Sequence, residues 1–401
     1  MQVLVLNSGS SSIKYRLFLA DGEEVASGLV ERIGEPSGRA SHRLTTVDGA
    51  RDEVVDERPI DDHADGFAMI VAALERGGRA DGIEAIGHRV VHGGAEFVAP
   101  TPIDAAVIER IRAQVPLAPL HNPANLTGIE VATRLRPDLP QVAVFDTAFH
   151  GTLPAHAHRY AVPDTWFGEH GVRRYGFHGT SHAFVARRAA DHLERPLEDL
   201  KLVTLHLGNG ASATAIDRGR SVETSMGLSP LEGLVMGTRS GDLDPAVVFH
   251  VQREAGLTSD EVEHALNRES GLRGLCGAND LRTVEERAAD GDAGAELALE
   301  VYVHRIRKYL GAYAAVMGGL DGVVFTAGVG ENSSTVRAQV CADLEVLGIE
   351  VDRERNQASL RDADGGVLPV HTDQSRVAVL AIATDEEREI AEQARAALRS
   401  D

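Results

Sequence analysis

Apolar residues in this chain gather into short runs that stop at polar or glycine positions, and such runs recur at residues 3–6, 83–91, 142–145, 202–207, 323–326 and 377–382. Runs of this length, rich in valine and isoleucine, predict buried strands. The stretches between them have a different period. Over residues 65–78, Phe67, Ile70, Val71 and Leu74 fall at i, i+3, i+4 and i+7, a single helical stripe, and Gly77-Gly78 stops it. Strands alternating with helices predict an α/β protein with a parallel or mixed sheet.

The first run leads into "LNSGSSSIKY" at residues 6–15 and then into a second apolar stretch that ends at Asp21-Gly22. That pattern predicts a β-hairpin with a serine-rich tip. It is not a Walker loop, which needs G-x-x-x-x-G-K-[ST] opening a helix. A hairpin tip can still grip phosphate through exposed backbone N–H groups and hydroxyls, although an ordinary surface hairpin reads the same way. About two hundred residues on, "KLVTLHLGNGASATAIDRG" at 201–219 repeats strand, glycine-rich tip, apolar return strand and Asp-containing turn. The spacing is too long for a solenoid and predicts a duplicated domain, with one hairpin per half and a nucleotide cleft between them. Asn7, Arg89, Asp146 and Asn209 all fall in or just after apolar runs, and sites in α/β folds lie beyond the carboxyl ends of strands.

A length of 401 residues favours two domains, and 43% hydrophobic content is ample for both cores. No apolar run reaches membrane-spanning length, and the first residues lack a basic segment and cleavage site, so a cytoplasmic protein without a membrane partner is expected. Cys276 and Cys341 stand far apart with no metal spacing, which predicts buried thiols. A formal net charge of −21 argues against nucleic acid as a partner.

Four further stretches carry candidate chemistry. "RRYGFHGTSH" at 173–182 spaces two histidines four apart, but Gly179 and the missing glutamate exclude a zinc-protease helix; a loop presenting donors to an anion is expected. "SMGLSPLEGLVMGTRSGDLDP" at 225–245 places Arg239 in a glycine-flanked turn, where it can deliver charge to a transferring phosphoryl group. "TAGVGENSS" at 326–334 reads as a third glycine-rich turn after a strand, with Asn332 or Ser333 capping the next helix. "ATDEEREIAEQARAAL" at 383–398 predicts an amphipathic helix with a Thr384/Glu387 capping box, leaving Glu386 available to a magnesium ion.

With "GHRVVHGG", "FDTAFH", "HLGNGAS" and "AGVGEN" in the same order, these blocks resemble the acetate kinase family over essentially the whole chain. The resemblance implies the duplicated actin-like, ribonuclease H-like (ASKHA) fold, divided into residues 1–148 closed by a C-terminal helix 385–401, and residues 149–384. It also implies a homodimer, and reversible phosphoryl transfer between ATP and acetate with Mg²⁺, or Mn²⁺ in its place. By position, Asn7 and Glu386 would serve the metal, and Ser12 and Lys14 the phosphates. Arg89, Asp146, His178 and Arg239 would be catalytic. Val91, Leu120, Phe177 and Pro230 would surround the acetate methyl. His206, Leu207, Gly208, Asn209 and Gly210, then Asp280, Leu281 and Arg282, then Gly328, Val329, Gly330, Glu331 and Asn332 would hold ATP, and His121 would line the cleft. Glu223 stands where the family usually has Asp, ahead of the Arg239 loop, with little consequence expected. A carboxylic acid is already ionised at neutral pH, so in-line transfer needs a positive enclosure more than a general base. A propionate kinase or a pyrophosphate-using variant shares the blocks. An actin-like or Hsp70-like ATPase shares the fold, but the chain ends soon after its last helix, which disfavours the chaperone.

Overall fold

The computed structural model describes residues 1–399. The chain forms two compact units, Met1–Phe149 with the C-terminal segment from Asp385, and His150–Thr384.

The first unit is built on an eight-stranded sheet of β1 (Val3–Gly9), β2 (Ser12–Phe18), β3 (Glu24–Glu31), β4 (Arg39–Thr45), β5 (Arg51–Glu57), β6 (Ala85–Val90), β7 (Thr101–Pro102) and β8 (Gln141–Phe145), in the order 5-4-3-2-1-6-8-7. β1 to β5 run as an antiparallel meander; β6 and β8 continue from β1 in parallel. β1 reads as continuous apolar sequence because it is buried on both faces. Leu4 and Leu6 join a core with Phe67, Ile70 and Leu74 of the helix His63–Arg76. Val3 and Val5 face Ile390, Ala391 and Ala394 of the helix Glu386–Arg399. The first helix starts two residues before the predicted stripe because Asp62 caps it, accepting from the Asp65 N–H.

The second unit carries β9 (Lys201–Leu207), β10 (Ala211–Asp217), β11 (Arg220–Thr224), β12 (Gly322–Thr326), β13 (Val367–Pro369) and β14 (Ala378–Ile382), in the order 11-10-9-12-14-13. The five strands 3-2-1-6-8 and 11-10-9-12-14 repeat one another in order and direction: two antiparallel steps, then two parallel ones. The repeated hairpin in the sequence is therefore the opening of each copy. The helices Gly179–His192 and Ala293–Met317 pack against this sheet.

Four local expectations need correction. Of the two thiols expected to be buried, Cys341 is, but Cys276 is partly exposed. Residues 326–334 are not a turn: Ala327–Asn332 forms a short helix whose Asn332 side chain donates to the Gly328 carbonyl at 2.8 Å, and Ser333 then caps Ser334–Cys341. His182 is not in a loop but in the first turn of Gly179–His192, which starts after Gly176 and His178 reverse the chain at φ +79° and +56°. The capping box at the C-terminal helix is absent. Asp385 Oδ1 accepts from the Arg388 N–H at 3.1 Å, Thr384 N–H is drawn to Glu331 Oε1, and Glu387 is taken by Lys14. No helix among the described residues is long and apolar enough to cross a membrane.

Candidate active site

In the first unit, the carboxyl ends of three neighbouring parallel strands deliver one polar side chain each: Asn7 from β1, Arg89 from β6, and Asp146 one residue past β8. The Arg89 guanidinium holds both oxygens of Asp146, with Nη2 at 2.5 Å from Oδ2 and Nε at 3.2 Å from Oδ1, and reaches Asn7 Oδ1 from Nη1 at 3.4 Å. Asp146 is 1% exposed. Although burial works against the arginine's charge, Asp146, Glu386 and Glu387 more than offset it and its pKa rises. Its forked edge is thus committed to Asp146, leaving only the remaining N–H groups for any other acceptor.

Glu386 has its pKa pushed up to about 7, first by burial and then by the charges of Asp146 and Glu387, against the opposing pull of Arg89 and Lys14. Lys14 pairs with Glu387 at 2.6 Å across 373 residues of sequence. Ser12 lies opposite Gly9 at the hairpin end, where a Cβ on Gly9 would come within 2.9 Å of the Ser12 hydroxyl. Val91 is buried, but β6 ends at Val90, so strand alternation does not fix its direction relative to Arg89; its N–H donates to Asn125 Oδ1 at 3.0 Å. Leu120 is 68% exposed, at odds with a closed lining position, and His121 precedes the helix Asn122–Leu135.

In the second unit, the tip of the β9–β10 hairpin, Gly208 to Gly210, is the meeting point. A side chain at Gly210 would lie 3.6 Å from Arg239 Nη1 and 3.7 Å from the His178 ring. Arg239 is half-buried; Nη1 donates to the Pro230 carbonyl at 3.2 Å, and no carboxylate pairs with it among the described residues. Burial, with Arg268 adding to it, lowers its pKa. His178 sits in the left-handed region, a conformation costly for a residue with a Cβ and concentrated at functional sites. Behind it lies a buried network that sequence reading missed. His178 Nδ1 and His182 Nε2 both meet Ser212 Oγ, at 2.9 and 2.8 Å, His182 Nδ1 meets Thr204 Oγ1 at 2.7 Å, and His206 Nδ1 meets Ser181 Oγ at 2.8 Å. The His178 and His206 rings stack at 4.1 Å. Burial and the neighbouring His150 and His206 hold His182 well below the usual histidine pKa, so it orients its partners as a neutral ring. The alternation of His206, Thr204 and Ser212 along the two strands was the available signal. Phe177 is buried, and its carbonyl meets His150 Nε2 at 3.0 Å.

Beside the same hairpin tip opens a cavity of about 560 Å³, lined by Gly208, Asn209, Asp280, Leu281, Arg282, Gly328, Val329 and Asn332. Leu272, Glu285, Tyr302 and Ser333 are among its further lining residues and were not foreseen as ligand contacts. Gly237 has no room for a Cβ, which would fall 2.1 Å from Asn209 Oδ1, so the tip packs directly on the loop that carries Arg239. His206 and Leu207 lie on β9 below the tip, while Gly330 and Glu331 face away from the cavity: the Gly330 carbonyl accepts from Arg337 and the Glu331 carboxylate from Thr384. Glu223, in place of the usual aspartate, is ion-paired with Arg174 at 3.4 Å.

The family model described as the acetokinase family matches residues 2–392. An acetate kinase of Streptomyces avermitilis is 54% identical over 98% of this chain and 96% of its own length. Among solved structures, Porphyromonas gingivalis acetate kinase superposes with a TM-score of 0.91 at 42% identity, covering 99% of each chain. A propionate kinase from Francisella tularensis also gives 0.91, at 39% identity over 98% of this chain and 99% of the other.

Proposed function

The chain belongs to the acetokinase family and has acetate kinase activity, reversible phosphoryl transfer between ATP and acetate; from that premise we propose that its two arginine centres divide the work of in-line transfer. The observation that carries this reading is the hairpin tip at Gly208–Gly210, where His178, Arg239 and the mouth of the 560 Å³ cavity come together. ATP binds with its nucleoside in that cavity, and Arg239 and His178 meet the phosphoryl group as it leaves ADP. Arg89, held in place by Asp146, offers its remaining N–H groups to the acetate carboxylate. Acetate arrives ionised, so Asp146 acts as the anchor of Arg89 and not as a base. No phospho-enzyme step is needed.

The residues suit a magnesium ion. Among the described residues no three His, Cys, Asp or Glu side chains are gathered as a ligand cage. Mg²⁺ instead favours one or two oxygen ligands supplemented by water and phosphates. Asn7 and Glu386 provide that set, and the crowding of Glu386 by Asp146 and Glu387 is what a divalent cation would relieve. When bound, the ion neutralises phosphate charge; Mn²⁺ has the same oxygen preference. Val91 limits acyl length. A propionate preference is the second reading, favoured by the equal superposition on a propionate kinase. Turnover of the purified protein with acetate, propionate and butyrate, using ATP or pyrophosphate, tests both. Comparable rates for propionate would favour the second reading, and activity with pyrophosphate but not ATP would remove the nucleotide assignment.

The protein is also read as a cytoplasmic homodimer. The helix Ala246–Ala255 has no buried residue, with Val247 and Phe249 43% and 57% exposed, an apolar surface that asks for cover. Sedimentation of the parent and of Phe249→Glu tests this; a monomeric parent ends the reading.

A further inference from the structure

The short helix that brings Gly328, Val329 and Asn332 to the cavity is gripped from behind by a buried arginine. Arg337 is 2% exposed, and among the described residues its guanidinium pairs with no carboxylate. Its donors go to neutral oxygens. Nη1 reaches the carbonyls of Gly330 at 2.9 Å and Glu331 at 3.0 Å, Nε reaches Asn356 Oδ1 at 2.8 Å, and Nη2 reaches the Asn356 carbonyl at 2.8 Å. Asn356, 3% exposed, returns its Nδ2 to the Ser334 carbonyl at 2.8 Å. Between these grips lies Ser333, whose hydroxyl donates to Glu285 at 2.5 Å inside the cavity and accepts from the Val336 N–H.

Burying a guanidinium with no counter-ion is costly, and here burial pushes the Arg337 pKa down to about 10. An apolar side chain of similar size would fill the space without that cost. The charge instead satisfies carbonyls at the carboxyl end of the helix Ala327–Asn332, where backbone oxygens lack partners within the helix. Neither Arg337 nor Asn356 lines the cavity. Their bonds fix where the cavity wall stands.

We propose that Asn356, acting through Arg337, is a positioning residue for nucleotide binding, holding the 327–333 segment in register with the cavity. The proposal rests on reading that cavity as the nucleotide site. Removing the amide leaves the Arg337 Nε–H unsatisfied in a buried space, takes from the Ser334 carbonyl its tie to Asn356, and frees the segment to shift.

The test is steady-state kinetics of Asn356→Ala and Asn356→Asp with melting temperatures measured alongside. Asn356→Ala is expected to raise KM for both ATP and ADP roughly tenfold, the size of one lost buried hydrogen bond to a charged group. The KM for acetate and kcat should stay within about twofold, because the Arg239 and Arg89 centres are untouched. Asn356→Asp keeps an acceptor for Arg337 and should recover most of the nucleotide affinity. A lower melting temperature with unchanged nucleotide KM would overturn the proposal, since that is all a packing role would give; so would an equal rise in KM for acetate. Should Asn356→Ala fail to fold, Arg337→Lys, which keeps the charge and loses the fork, carries the same expectation and the same overturning result. Calorimetric titration of the parent with ATP separates the two levels. No binding by the parent removes the nucleotide reading itself; binding by the parent with equal affinity in the variants removes only the positioning role.

Discussion

Each unit carries one arginine of the proposed site, Arg89 in the first and Arg239 in the second, and their surroundings are opposite. Arg89 is enclosed by carboxylates, with Asp146 on its fork and Glu386 and Glu387 raising its pKa further. Arg239 is half-buried, held by a carbonyl, and paired with no carboxylate among the described residues. A neutralised arginine is fixed in place but exerts little net field. An unneutralised one in a partly dry site keeps its field for whatever anion arrives. In the reading proposed above, the contrast suits orientation to the first and charge stabilisation to the second, within a chain whose formal net charge is −21.

The largest effect that could break this contrast is on stability. Arg89→Ala removes the guanidinium that holds both oxygens of a carboxylate 1% exposed, at a cost of about 3–5 kcal/mol. Arg239→Ala removes a charge held by a carbonyl and by no carboxylate among the described residues, and should leave the melting temperature close to the parent's. Equal melting temperatures for the two variants would erase the distinction. In turnover the emphasis reverses. Arg239→Ala is expected to lower kcat by roughly 10²–10³ while KM for ATP changes little, because its field matters most as the phosphoryl group separates from ADP. A drop confined to KM would make Arg239 a ground-state binder.

The two units also answer acid in parallel. His88 in the first, bonded to Gln141, and His150 in the second, bonded to Ser221 and the Phe177 carbonyl, are both driven by burial to a pKa of about 4. Between pH 6.5 and about 4 the unfolded chain takes up protons that the folded chain refuses. Stability is therefore fully present above pH 6.5 and is lost as the pH falls, by up to about 3 kcal/mol for each ring. Melting temperatures from pH 7.5 to 4.5 check the sign. A His150→Gln variant should flatten part of the decline; an unchanged slope would show that this ring titrates normally.

What could be read from the sequence was what a local pattern encodes. β1 and β9 were visible because strands buried on both faces are continuous apolar runs, and the hairpins because glycine and serine interrupt those runs. Asn7, Asp146 and Asn209 followed, since each lies just beyond an apolar run. The misses depend on distant partners. Lys14 meets Glu387 from the other end of the chain, which cancels the capping box that spacing alone suggested. His182 packs beneath two strands that follow it, and its Nε2 meets Ser212 Oγ from thirty residues away. The helix at Ala327–Asn332 replaced a predicted turn because its glycines signal flexibility, while Arg337 and Asn356, invisible as partners in sequence, hold its end.

The smallest expected effect sharpens the orienting role of Arg89. Val91 is 7% exposed and follows Arg89 by two residues, just past the end of β6, with its backbone tied to Asn125. If Arg89 fixes the carboxylate end of the substrate, the side chains around the β6 terminus bear on how long an acyl group fits behind it. Trimming valine to alanine removes two methyl carbons from that space. One methylene in an apolar pocket is worth about 1–3 kcal/mol, or roughly 10–200-fold in discrimination. If Leu120, 68% exposed, belongs to that lining, the lining is open and the value falls at the low end. Val91→Ala should therefore lower kcat/KM for acetate a few-fold and raise the propionate-to-acetate ratio by about tenfold. Competition between acetate and propionate in one reaction, scored by the two acyl phosphates formed, reads this ratio without separate rate constants. A folded Val91→Ala protein with the parent's ratio would return Val91 to the core of its own unit and leave Arg89 to orient the carboxylate without a neighbouring measure of chain length.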